Sequence, residues 1–308
     1  MKNNLLKFIA LFISILLCSF TLSSCKSPAP PQDLLKVVKS RDKIIAGVKY
    51  DAKPFGFVDK DQQIKGYDVD VVKEVAKRVL GHENAAEFQQ VTSSNRIFSL
   101  TSGSIDMIAA TMTITPKRSQ IIDFSAPYFA AGQAIMVRKN SKINSAKDLN
   151  NKRVIVVLGS TSEQNLRLMA PYAHIIGFRT YTDAYSALRS GRGDAFTTDD
   201  AILYGFLAKD KKFKILTQRY SKEPYGIGFR KAPETKEFQK EVNNALKNMM
   251  LDGTIGKLRR KWTIYHIDKS EQNAINDQNG INDPSNKNDP NSINDQNNTD
   301  NDTNNASS

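Results

Sequence analysis

Cysteine is nearly absent. The 308 residues hold two, Cys18 and Cys25. Cys18 lies at the end of an apolar N-terminal stretch expected to be removed, which leaves no pair for a disulfide framework. Stability must then come from a buried core. Histidine is also scarce, at three residues (His82, His174 and His266), far apart and without cysteine partners. That spacing excludes a His/Cys metal cluster, so no metal and no cofactor are expected. The apolar run Phe8–Leu17 is too short and wrongly flanked for a membrane-spanning helix. Gly159–Ser162 is not followed by Gly-Lys-Ser/Thr, which excludes a phosphate loop. No nucleophile–base pair stands out, so no catalytic residue is assigned and the chain is not expected to be an enzyme.

What the chain does have begins with an address. Lys2 and Lys7 precede the apolar run, and Leu22-Ser23-Ser24-Cys25 ends it. This resembles a bacterial lipobox, which implies cleavage before Cys25 and a lipid such as palmitate on its thiol. The plainer alternative is a secretory signal with a stray cysteine. Residues 1–24 are thus read as a signal peptide, and 25–38 as lipidated cysteine and Pro-containing tether. At the other end, residues 269–308 echo a six-residue unit (INDQNG, INDPSN, KNDPNS, INDQNN). With little apolar content beyond a periodic isoleucine, this tail is expected to be disordered.

The net charge of +12 hides an asymmetry. From Ser270 onward Glu271 and six aspartates face Lys287 alone, a balance of −6. With Lys2 and Lys7 set aside, the body carries about +16. Such a field suits acidic ligands or an anionic membrane surface. Basic residues are spread evenly, without a stripe or motif for nucleic acid, and none is expected as partner.

Along the body, apolar runs alternate with helical periodicities. Lys43–Val48, Ser104–Ala110, Ala134–Val137, Val154–Leu158 and Ala195–Thr198 read as strands. Asp68–Val79 has apolar residues at Val69, Val72, Val75, Ala76 and Val79, a helical rhythm that Asp68 can cap. Helices are also predicted from Gly159–Ser162 to about Met169, over Thr182–Ser190 and Asp200–Lys209, and over Glu237–Leu251 and Thr254–Trp262. The alternation implies an α/β architecture with mostly parallel sheets.

The stretch Ala110–Gln133 (ATMTITPKRSQIIDFSAPYFAAGQ) carries the chemistry. If extended, it puts the hydroxyls of Thr111, Thr113 and Thr115 on one face, with Arg118 close behind. A guanidinium there grips a carboxylate with two parallel hydrogen bonds. The alternative is a surface strand with a solvated arginine.

Several segments in order decide the matter. GYDVDVVKEVAKRV (Gly66–Val79) resembles the signature of bacterial extracellular solute-binding proteins, family 3, the amino-acid receptors of ABC importers. GVKYD, VTSSNRI, SGSIDMIAATMTITPKR, IDFSAPYFAAGQ, GSTSEQN, GRGDAFTTDDAILYG, EPYGIGFRK and DGTIGKLRRKW extend the resemblance over about Lys39–Tyr265. The resemblance implies a two-lobed, periplasmic-binding-protein-like (type II) clamshell. Lobe one would comprise 39–134 plus 229–268, and lobe two 137–224. The two crossings would fall near Gln133–Arg138 and Tyr225–Arg230, with an amino acid held between the lobes.

The same resemblance implies the site. Arg118 would hold the α-carboxylate, supported by Thr111 and Thr113. Ser160, Thr161 and Ser162 would offer free helix N–H groups from lobe two, or simply cap their helix. Asp199 would accept the ammonium, or Asp199 or Asp200 would only cap the next helix. Lys49 and Arg96 would meet a second carboxylate, favouring glutamate or aspartate, with glutamine as the further candidate. Tyr181 and Tyr225 are candidate walls. Ala52 stands where many relatives carry an aromatic ring over the ligand. The expected partners are an ABC permease and ATPase complex and, through the lipid, the extracytoplasmic face of the cell membrane; the expected state is a monomer. A sensor or surface adhesin on the same fold is the alternative function.

Overall fold

The structure, a computed structural model, describes residues 32–208 and 210–262. The leader, Cys25, the tether up to Pro31, His266 and the Asn/Asp-rich tail lie outside the described residues. From Leu34 onward the described residues belong to one unit.

In chain order, helix α1 (Leu34–Arg41) leads into strand β1 (Ile44–Val48). The short strands β2 (Asp51–Ala52), β3 (Gly56–Val58) and β4 (Ile64–Lys65) precede helix α2 (Tyr67–Leu80). Strand β5 (Ala86–Gln90), helix α3 (Arg96–Thr101), strand β6 (Met107–Ile108), helix α4 (Pro116–Ser119) and strand β7 (Ile122–Phe124) follow. Then come strands β8 (Phe129–Ala131), β9 (Gln133–Arg138) and β10 (Arg153–Val157) and helix α5 (Thr161–Met169). Strand β11 (His174–Phe178), helix α6 (Tyr181–Arg189), strand β12 (Ala195–Asp199), helix α7 (Asp200–Leu207) and strand β13 (Phe213–Ile215) complete this half. The chain returns through β14 (Glu223–Tyr225) and β15 (Gly228–Arg230) to helices α8 (Lys236–Leu251) and α9 (Thr254–Lys261).

Two five-stranded sheets result, with strand orders β5-β1-β6-β15-β7 and β11-β10-β12-β9-β13. Each has three parallel strands followed by two antiparallel pairings. The sheets are therefore mixed rather than mostly parallel. The reason is topological: β9 and β15 are the strands that enter each sheet directly from the connection between them. They arrive running against the parallel set.

The connection itself is a two-stranded antiparallel ribbon, β8 with β14, pairing Phe129 with Tyr225 and Ala131 with Glu223. Strand Gln133–Arg138 lies wholly in the second sheet, paired to β12 and β13. The first crossing thus comes earlier than the sequence segment suggested, at Phe129–Ala131. The strand expected over Ser104–Ala110 shrinks to Met107–Ile108.

Helix α2 shows how pattern becomes packing. Val71, Val72, Val75 and Ala76 are buried beside Tyr67, and each buried valine is worth about 1.5–3 kcal/mol. Asp68 and Asp70 sit in its first turn and Lys77 and Arg78 in its last, matching the helix dipole. Gly81 ends it at φ 94°, a left-handed cap that suits glycine. Asp68 does not cap. The N-cap residue is Gly66, without a side-chain bond, and the Asp68 carboxylate is turned inward. Periodicity explains this, because position 68 falls on the same stripe as 71, 72 and 75.

The ribbon is anchored by aromatic packing. Phe129 lies 4.9 Å from the Phe55 ring, 5.6 Å from Tyr67 and 5.4 Å from Tyr225. All four rings are buried. Phe129→Ala should cost about 3–5 kcal/mol in urea unfolding. A loss under about 1 kcal/mol would show that the ribbon is not held by this cluster.

Candidate functional site

All eleven residues singled out in the sequence are buried, and they lie where the two sheets face each other. Lys49, Arg96, Thr111, Thr113 and Arg118 come from the first sheet's side. Ser160, Thr161, Ser162, Tyr181 and Asp199 come from the second, and Tyr225 from the ribbon. None is a surface group.

Arg118 is only 8 % exposed. Its Nη1 donates to Thr113 O at 2.8 Å, and its Nη2 reaches across to Gly159 O at 3.3 Å. Burial works against its charge, while Glu223 and Asp199 favour it. Arg96 donates from Nη1 to Ala110 O at 2.6 Å and Thr111 O at 3.1 Å. Its buried Nε has no protein partner. Lys49 donates from Nζ to Ser93 Oγ at 2.6 Å and lies 5.1 Å from the Tyr181 ring centroid. Burial, followed by the nearby Arg96, pushes the Lys49 amine well below its ordinary pKa.

The three threonines do not share an extended face. Thr111 sits at φ 47°, and its hydroxyl turns back to Ala110 O at 2.8 Å. Thr113 forms an isolated bridge with Tyr225. Thr115 is the N-cap of α4, accepting from Arg118 N at 3.2 Å. The cause is long-range. Asp68 accepts the Thr111 N–H at 2.9 Å and the Tyr128 hydroxyl at 2.8 Å, fixing the chain in this turn. Burial raises the Asp68 carboxyl to about 6.

Across the interface, the start of α5 is organised by a reciprocal cap. Ser160 Oγ accepts from Glu163 N at 3.2 Å, and Glu163 accepts from Gly159 N at 2.9 Å. The first N–H groups of the helix have no i−4 carbonyl to bond and point outward along its axis. Thr161 Oγ1 donates to Glu223 at 2.7 Å, and Ser162 Oγ reaches Asp199 at 3.5 Å.

Asp199 is the N-cap residue of α7, yet its side chain makes no cap bond. Its carboxylate instead accepts from the Tyr225 hydroxyl. Burial and then the Glu223 charge raise it to about 7. Asp200 is elsewhere engaged, with Arg219 at 2.7 Å.

The two sides touch closely. Gly159 has φ +78°, and a Cβ there would lie 2.7 Å from Ser94 Cα. A Cβ on Gly205 of α7 would lie 2.3 Å from Lys53 O. Asp51, from β2, accepts the Tyr181 N–H of α6 at 2.5 Å. The lobes are therefore closed against each other over the charged interior.

Three participants were not singled out in the sequence: Asp51, Asp68 as an interior acceptor, and Glu223. Only Asp68 left a signal, as an acid on an apolar stripe. The other two act through partners far along the chain. Among the described residues, no group of three or more His, Cys, Asp or Glu could hold a metal. No helix among them is long and apolar enough to cross a membrane.

Comparison with known proteins agrees with this geometry. The ABC transporter glutamine-binding protein GlnH of Bacillus subtilis (strain 168) is 42% identical over 262 residues, covering 83% of this chain and 95% of that protein. The glutamine-binding protein of Geobacillus stearothermophilus is 46% identical over 212 residues, or 68% and 80% of the two chains. Among solved structures, the ancestral amino acid-binding protein AncCDT-1, a precursor of cyclohexadienyl dehydratase, superposes with a TM-score of 0.69 at 38% identity. It covers 74% of this chain and 98% of that one. Residues 44–264 match the profile of one family over most of the folded body. The fold is the two-lobed, type II clamshell of periplasmic amino-acid-binding proteins, and the chain belongs to the bacterial extracellular solute-binding proteins, family 3.

Proposed function

We propose that this chain captures a polar α-amino acid between its lobes and delivers it to an ABC permease and ATPase complex. The observation that carries the reading is the enclosure of Arg118, the start of α5 and Asp199 in one interior, with cation and anion on opposite sides. Arg118 and the α5 N–H groups would hold the carboxylate, with Thr111 and Thr113 lining the same end. Asp199 would take the ammonium, and Tyr181 and Tyr225 would wall the site. The function is binding rather than catalysis, as the names of the relatives support. A ligand held by groups from both lobes favours the closed form over the open one.

Among the candidate ligands, charge favours glutamine. The charges of Arg96 and Arg118 are already favoured by buried acids, Asp199 acting on both and Glu223 on Arg118, and Arg96 in turn favours the ionised form of Asp68. Arg96 gives Nη1 to two carbonyls and keeps Nε for a further acceptor, and the charge of Lys49 is disfavoured where it sits. A glutamate side chain would add an uncompensated negative charge to a desolvated site, while an amide would not. The names of the two glutamine-binding relatives point the same way.

We further assign Cys25 as the lipid attachment site that holds a monomer on the outer face of the cell membrane, with 34–128 plus 226–262 and 132–222, on either side of the ribbon, as the moving lobes.

Titration calorimetry against the common amino acids should give tightest binding with L-glutamine, and Arg118→Ala should abolish binding of every ligand. Binding that survives in Arg118→Ala would remove the arginine from the clamp. The affinity should also depend on pH in a definite sense. With Asp199 near 7, the group holds a proton at lower pH and cannot pair with an ammonium. Glutamine should bind about a hundredfold more weakly at pH 5 than at pH 8. A flat profile over that range would take Asp199 out of the site. Finally, Cys25→Ser should move the chain from the membrane fraction to the soluble one; persistence on the membrane would contradict the lipid assignment.

A further inference from the structure

Ligand contact alone does not account for a polar network that joins both crossings to helix α5. Gln133, the first residue of β9, is fully buried. Its Nε2 donates to Thr197 Oγ1 at 2.9 Å and to Ser162 O at 3.3 Å, and its Oε1 accepts from Asn165 Nδ2 at 2.9 Å. Glu223, the first residue of β14, is 2 % exposed. Its Oε2 accepts from Thr161 Oγ1 at 2.7 Å. Its Oε1 accepts from Asn165 Nδ2 at 3.3 Å and Ser221 Oγ at 2.5 Å.

Thr161 and Asn165 are four apart and share one face of α5, the face turned to the ribbon. The helix start offered to the ligand is thus fastened to β9 on one side and β14 on the other. A contact needed only for packing would be made by apolar groups. A buried carboxylate costs free energy and persists only when its hydrogen bonds are satisfied. Glu223 has three donors, and its charge reaches both ends of the site, favouring the charge on Arg118 and opposing that on Asp199.

We propose that Glu223 is a positioning residue for ligand capture, fastening the first turn of α5 to the hinge ribbon. This rests on the reading of the interior as an amino-acid site. The groups facing Asp199 are Tyr225 and Glu223 from β14, Ser162 from α5, Tyr181 from α6, Arg96 from α3, Arg118 from α4 and the adjoining Asp200. Of these, Glu223 is the largest charged influence on Asp199 and the one whose neutral isostere keeps the shape.

The test is calorimetry of the full-length chain with L-glutamine from pH 5 to pH 8, for the wild type, Glu223→Gln and Asn165→Ala, with thermal unfolding run alongside. At pH 8, Glu223→Gln should bind about tenfold more weakly, since charge-assisted bonds to α5 are lost. Its acid midpoint should move to lower pH, because the charge opposing Asp199 is gone. The two affinity curves should therefore converge as the pH falls. Asn165→Ala should weaken binding at pH 8 and leave the midpoint where it is in the wild type. Equal affinity of Glu223→Gln and wild type at pH 8, or two parallel curves, would overturn the proposal. If Glu223→Gln does not fold, Asn165→Ala decides, and an unchanged affinity overturns it. A wild type that binds no amino acid would instead overturn the functional reading, and the proposal with it.

Discussion

Charges of opposite sign, supplied by different lobes, are buried against one another, and the rest of the structure is arranged to make that tolerable. Desolvated ions are costly unless paired and hydrogen-bonded. Here Arg118 leans on a carbonyl from each side, Arg96 on two carbonyls of the Thr111 turn, and Asp199 on a hydroxyl from the ribbon. These bonds stabilise the groups without neutralising them. Burial disfavours the charged forms of Asp68, Asp199 and Lys49 alike. A zwitterion matches what such an interior lacks: a negative end for Arg118 and a positive end for Asp199.

The two-sheet topology serves this arrangement. Each sheet accepts as an antiparallel neighbour the strand that has just left the ribbon. The chain thus passes twice through one narrow connection, and the aromatic cluster of Phe55, Tyr67, Phe129 and Tyr225 packs at that point. A stiff base with two facing surfaces allows closure without repacking either sheet. The surfaces meet where side chains are absent, at Gly159 and Gly205, so close approach costs no steric penalty.

Much of this was legible in the sequence, for a physical reason. Helix periodicity found α2 to within a residue or two, and the apolar run found β10, because both depend on local spacing. Of the eleven residues gathered in the interior, Thr111, Thr113 and Arg118 were singled out by local spacing and the others by segment resemblance, since neither composition nor spacing points to Ser162 or Tyr225. What stayed hidden depends on partners distant in the chain. Thr111 adopts a left-handed conformation because Asp68, 43 residues away, takes its N–H. Threonine alternation read as an extended face carries no information about that bond. Glu223 bonds Thr161 from 62 residues away, and Asp51 bonds Tyr181 from 130 away. The parallel-sheet expectation failed likewise, because strand direction in β9 and β15 is set by where the chain re-enters.

The central claim is that one zwitterion joins Arg118 to Asp199 across the closed lobes. A crystal structure of the chain grown with L-glutamine tests it most directly. The ligand carboxylate is expected on the Arg118 guanidinium and the first N–H groups of α5, and its ammonium on Asp199. Glutamine lodged elsewhere, or bound with its ammonium away from Asp199, would contradict it.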